Sequence, residues 1–113
     1  MEIKIIKESI SLKKLKEMAN QGFGDLIKAV IEQEIMAIGG ELYADEEVKL
    51  SEECISKHEN MWGINIYPKN IKEERIEFDS MINIKPELGN RSRGIGDESI
   101  RKNILEIVKK LIK

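Results

Sequence analysis

Two arginines flank a serine in a glycine-punctuated stretch, Gly89-Asn90-Arg91-Ser92-Arg93-Gly94-Ile95-Gly96. Guanidiniums, a hydroxyl and a carboxamide lie just ahead of a helix start, whose backbone N–H groups attract anions. The sequence therefore predicts a ligand-binding loop at 89–96, with Asn90, Arg91, Ser92 and Arg93 as contacts. Phosphate, a partner's carboxylate or a nucleic-acid backbone would all suit it. The plainer alternative is a connection whose arginines pair with Glu77, Asp79 or solvent. Asp97, at the helix start, also competes with an incoming anion.

A second candidate is a polar strand face. If Ile64 and Ile66 point into the core, Gly63, Asn65 and Tyr67 point the other way, and Glu77, Asp79 and Asn83 lie opposite Ile76, Phe78 and Ile82. Asparagine and aspartate are poor strand formers, so Asn65, Asp79 and Asn83 mark either a binding face or an ordinary solvated one. A third candidate is a set of oxygen ligands, Glu41, Asp45 and Asp79, for a hard cation such as Mg²⁺. With Arg91 or Arg93 on a phosphate, that set would be the parts of a metal-assisted phosphoester hydrolase. Acidic residues near 45–47 are equally well explained as helix starters.

Other chemistry is excluded more firmly. His58 is the one histidine and Cys54 the one cysteine, so zinc sites of several His and Cys ligands and intramolecular disulfides cannot be built. His58 reads as a surface loop residue, Cys54 has no neighbouring base to activate it, and Trp62 reads as a core or rim aromatic. Gly94-Ile95-Gly96 lacks the third glycine of a dinucleotide fingerprint and no phosphate-loop pattern occurs, while the sequence leaves any cofactor unknown. With 19 basic and 21 acidic side chains the net charge is −2, which argues against a general duplex nucleic-acid binder. No apolar run approaches the roughly 20 residues of a membrane span, and the N-terminus alternates charge too fast for a signal peptide. A cytoplasmic protein with no membrane partner is expected.

These residues must be positioned by a short list of elements. Ile3 and Ile5 read as a first strand, and Ser11 caps a helix carrying Leu12, Leu15, Met18 and Ala19, ended by Gly22 and Gly24. Residues 26–40 read as two strands with a tight turn near Glu32 and Gln33, although no Asn-Gly or Asp-Gly marks it. Asp45-Glu46-Glu47 opens a short helix, and the charged run 49–59 reads as an exposed connection. Residues 62–67 form a strand ending at Pro68, residues 75–84 a long strand antiparallel to it. After Asp97, Ile100, Ile104, Ile107, Val108 and Leu111 share one helical stripe. The expectation is an α+β fold over 1–113 as a single domain. It has a mainly antiparallel sheet of about four to five strands, an N-terminal helix, and a long amphipathic C-terminal helix packed on the sheet.

Four segments also carry a resemblance. Gly39-Gly40-Glu41-Leu42 with Ala44-Asp45-Glu46 comes first, then Trp62-Gly63-Ile64-Asn65 with Tyr67-Pro68. Glu77-Phe78-Asp79-Ser80-Met81-Ile82-Asn83-Ile84 and Gly89-Asn90-Arg91-Ser92-Arg93-Gly94 follow. Together they resemble a small prokaryotic family of unknown function, over nearly the whole chain. The resemblance implies no activity, but it implies that the polar segments form one set. It also implies a histidine between Leu42 and Ala44, where this chain carries Tyr43, and a longer turn after Ile31.

The leading functional expectation is a binding module for an anionic ligand, phosphate- or carboxylate-bearing, with Arg91 and Arg93 as charged contacts. Asn65, Asp79 and Asn83 would orient that ligand. The metal-assisted hydrolase and a structural or interaction protein, homodimeric through a strand edge or the last helix, are the alternatives.

Overall fold

The computed structural model describes residues 2–54 and 57–113. Among the described residues five strands form one sheet: β1 (Lys4–Ile6), β2 (Ile27–Glu32), β3 (Ile35–Ile38), β4 (Met61–Ile66) and β5 (Ile76–Glu77). Their order is β1-β3-β2-β4-β5, and every neighbouring pair is antiparallel. Three α-helices accompany it among the described residues: α1 (Leu12–Gln21), α2 (Tyr43–Cys54) and α3 (Glu98–Leu111). The α+β expectation, with both terminal helices, is met.

Period-two alternation in the strands divides the interior between two faces. On one, Ile27, Ala29, Ile31, Trp62, Ile64 and Ile66 pack against Leu15, Met18 and Ala19 of α1 and against Ile104, Ile107, Val108 and Leu111 of α3. Each such aliphatic side chain contributes about 1.5–3 kcal/mol when fully buried. On the other face Val30, Ala37 and Met61 pack against Leu50 of α2, with Ile3, Ile5 and Ile82 at the margin. This face, which the sequence left open between a binding surface and a solvated one, is covered by α2 at Asn65, 7% exposed, while Glu77 at its edge stays exposed.

Local signals start and stop the helices. Ser11 Oγ accepts a hydrogen bond from the Lys14 N–H at 3.1 Å, and the Gly22 N–H closes α1 on the Met18 and Ala19 carbonyls. Asp97 caps α3, accepting from the Ser99 and Ile100 N–H groups at 2.8 and 3.3 Å. The β2–β3 turn lies at Gln33 and Glu34, with Gln33 in the left-handed region at φ 53°. A glutamine there costs roughly 1–2 kcal/mol, and the turn forms without the Asn-Gly or Asp-Gly pair that usually marks one.

Two expectations are corrected. The helix opened near Asp45 runs to Cys54, so much of the predicted connection at 49–59 is helical, held by the buried Leu50; residues 55–56 lie outside the described residues. The long strand at 75–84 lasts only for Ile76 and Glu77. Beyond them Ser80 Oγ accepts from the Ile82 N–H, and residues Met81–Asn83 form a 3-10 turn. Side-chain-to-backbone bonds of this kind compete with the strand ladder. Asn83 then takes the place a strand would have had: its Oδ1 accepts from the Gly63 N–H at 2.7 Å, and its Nδ2 donates to the Gly63 carbonyl at 2.9 Å. Gly63 is required for that approach, since a Cβ there would lie 2.5 Å from both Cβ and Oγ of Ser80.

Candidate functional site

The loop 89–96 is organised by Asn90. Its backbone exchanges hydrogen bonds with Lys85, at 2.7 and 3.1 Å, closing a turn over Pro86–Leu88 in which Gly89 has φ 82°. The Asn90 carboxamide then ties the loop to itself. Its Nδ2 faces the carbonyls of Asn83 (2.7 Å), Gly94 (2.8 Å) and Ser92 (3.2 Å), while its Oδ1 accepts from the Gly96 N–H (2.9 Å). The Arg93 carbonyl is fixed from two sides, by the Ser80 N–H at 3.0 Å and by Asn83 Nδ2 at 2.9 Å. Arg91, Ser92 and Arg93 are all exposed on this pinned backbone.

Arg93 Nε meets Asp79 Oδ1 at 2.7 Å, with the two side chains 57% and 42% exposed. Among the described residues Arg91 has no carboxylate within ion-pairing distance. The N-terminus of α3 offers little to an outside anion, because the Asp97 carboxylate already occupies the Ser99 and Ile100 N–H groups.

Beside this loop a polar row crosses three strands. Lys28 on β2 is registered with Asn65 on β4, and Asn65 with Glu77 on β5. Asn65 Nδ2 donates to Glu77 Oε1 at 2.8 Å and to the Asp79 carbonyl at 3.2 Å. The Tyr43 hydroxyl, from the start of α2, donates to Asn65 Oδ1 and lies 3.2 Å from the Asp79 carbonyl. Tyr67 donates to Glu77 Oε1 at 3.0 Å. Burial, with the charges of Asp79 and Glu46, pushes the Tyr43 phenol up to about 12. Burial and then the Glu77 contact raise Tyr67 as well. Both phenols thus act as neutral donors at physiological pH. Lys28 donates to the Glu41 carbonyl at 2.8 Å and stands 4.8 and 5.2 Å from the ring centroids of Phe23 and Tyr43.

Glu46 lies beneath this group and is fully buried. Its Oε2 accepts from the Gly40 N–H at 2.9 Å, but Oε1 has no hydrogen-bond partner among the described residues. Burial raises its carboxyl to about 9, outweighing the Gly40 N–H and the Lys28 charge, which act in the opposite direction. Glu46 is therefore a neutral acid at pH 7.

The structure brings Asn65, Asp79 and Arg93 into one hydrogen-bonded system, with Asn83 and Asn90 holding the backbone around it. It does not gather the proposed cation ligands: among the described residues no three His, Cys, Asp or Glu side chains converge, and Glu41 and Asp45 are exposed. Lys28 and Glu46 are members that the sequence did not offer as site residues. Alternation had set Tyr67 on the Asn65 face, and the resemblance had marked position 43 without giving Tyr43 a role. His58 sits at the surface with its Nδ1 against the Glu47 carboxylate, apart from this system. Trp62 belongs to the main core, with the Lys85 ammonium 4.9 Å from its ring centroid.

Fold and site together define a small α+β domain with a pinned, arginine-bearing loop beside a polar row that runs from buried Asn65 to exposed Glu77. Residues 4–111 match the family model DUF5674, described as a protein of unknown function, and the chain belongs to that family. No curated protein and no solved structure matches it. Among the described residues no helix is long and apolar enough to cross a membrane.

Proposed function

We propose that the protein is a binding module for an anionic ligand, phosphate- or carboxylate-bearing, that docks on Arg91, Ser92 and Arg93. The Arg93–Asp79 pair is one that a plain connection would also make; the observation that carries the binding reading is that Arg91, Ser92 and Arg93 stand exposed together on a loop fixed by the Asn83 and Asn90 carboxamides. A loop already held in one conformation loses little further freedom when a ligand binds, which favours affinity. Asp79 engages Arg93 through Nε, so the terminal amino groups are those presented to a ligand, in the fork that suits two oxygens of phosphate or carboxylate. Asp79 orients the guanidinium, Asn65 and Tyr43 hold the Asp79 backbone, and Asn83 and Asn90 position the loop. The net charge of −2 favours a small anion over a nucleic-acid backbone.

The test is calorimetric titration with inorganic phosphate, a nucleoside monophosphate, a dicarboxylate and a short RNA, on the parent and on Arg91→Ala/Arg93→Ala. Saturable binding of one anion, weakened at least tenfold in the variant, is expected. Absence of binding to all four, or equal binding by the variant, would refute the reading.

A further inference from the structure

A second cationic surface lies away from the loop, where the C-terminal half of α3 meets β5. The groove there has a volume of about 480 Å³, within the range of small-molecule sites. Its floor is apolar, made by Ile76, Leu105, Val108 and Ile112, and its rim carries Lys72, Arg75 and Lys109. Leu105 is 44% exposed, so the floor continues the main core out to solvent.

Three features point to an occupant. None of the three cations has a carboxylate within ion-pairing distance among the described residues. Glu73, Glu74 and Glu106 neighbour them in sequence, yet none lines the groove. Arg75 is weakly engaged: among the described residues its side chain makes one hydrogen bond, from Nη2 to the Asn70 carbonyl at 3.5 Å, and its buried Nε makes none. An unanswered buried donor is costly, and a charged one more so. Three uncompensated cations beside an apolar floor, in a chain of net charge −2, form a surface complementary to one kind of molecule.

We infer that this groove binds an amphiphilic anion, an apolar chain or ring bearing a single carboxylate or phosphate. The apolar part lies on Leu105, Val108 and Ile112, and the head group meets Arg75 with Lys72 and Lys109 beside it. Each methylene buried on such a floor is worth about fourfold in affinity.

The experiment is calorimetry with hexanoate, octanoate and octyl phosphate, all below micelle formation, with octylammonium as the charge-reversed control. Octanoate or octyl phosphate should bind saturably, and the stronger of the two names the head group. Octanoate should bind about 15-fold tighter than hexanoate. Lys72→Met/Lys109→Met, both exposed positions that leave the fold intact, should weaken binding at least tenfold. Arg75→Met should do the same while keeping an apolar stem. Arg91→Ala/Arg93→Ala should bind the amphiphile as the parent does, which separates this site from the loop. The inference is overturned if neither anion binds, if octylammonium binds equally well, or if the lysine variant is unaffected. It is overturned too if the groove proves to be covered by a second copy of the chain, seen as a dimer that Lys109→Glu dissociates.

Discussion

Replacing Glu46 with glutamine separates the energetics of its carboxyl from its shape. The unfolded chain holds this group near 4.5, whereas burial in the fold raises it to about 9. Below the lower value both states carry the proton, and the group's contribution to stability is fully present. As pH rises between the two values only the folded state retains the proton, so stability falls, by about 1.4 kcal/mol per pH unit. From about pH 5 to about pH 7 the loss attributable to Glu46 is thus about 3 kcal/mol. Glutamine keeps the side-chain length and an oxygen for the Gly40 N–H but does not titrate. Urea unfolding of both proteins across this range, with an unchanged denaturant slope, reads the difference directly. Glu46→Gln should gain on the parent steadily as pH rises, by about 3 kcal/mol in total. Two stability curves that run parallel would refute the reasoning, since they would mean that Glu46 ionises in the fold as easily as in water.

Further predictions concern the join between β4 and the turn at 81–83. Asn83→Ala leaves the Gly63 N–H and carbonyl without partners and should destabilise by about 2–5 kcal/mol, with faster amide exchange at Gly63. Gly63→Ala forces a Cβ into Ser80 and should cost about 1–3 kcal/mol despite the smaller entropy of the unfolded chain. Adding Ser80→Gly removes the atoms it strikes and should restore part of that loss, giving a coupling of about 1 kcal/mol in a double-mutant cycle. Tyr43→Phe should cost about 1–3 kcal/mol, because Asn65 Oδ1 loses its donor.

The helices and most strands were legible because their signals are local. A serine or aspartate cap, a 3.6-residue stripe and a run of β-branched residues each act through neighbours in the chain. The segment 75–84 misled for the same reason. Its alternation, which set Ile76, Phe78 and Ile82 on one face, is broken in the fold: Ile76 and Phe78 pack on one core and Ile82 on the other. The outcome was decided by Asn83 bonding a glycine twenty positions away, which no pattern within the segment encodes. Of the site, Asp79, Arg93 and Asn65 were visible as polar residues out of place in strands and loops. Tyr43, Lys28 and Glu46 join them only through the register of β2 with β4 and the placement of α2 over the sheet. Glu46 in particular reads as a helix starter, and only its burial reveals a neutral acid.

The central claim, an anion held by the Arg91–Arg93 tip of a fixed loop, is tested most directly by nuclear magnetic resonance during a phosphate titration. The account predicts saturable shifts confined to the Arg93 Nε–H, the amides of Arg91, Ser92 and Arg93, and Asp79. Shifts that are absent at saturating phosphate, or that fall elsewhere on the molecule while these signals stay still, would contradict it.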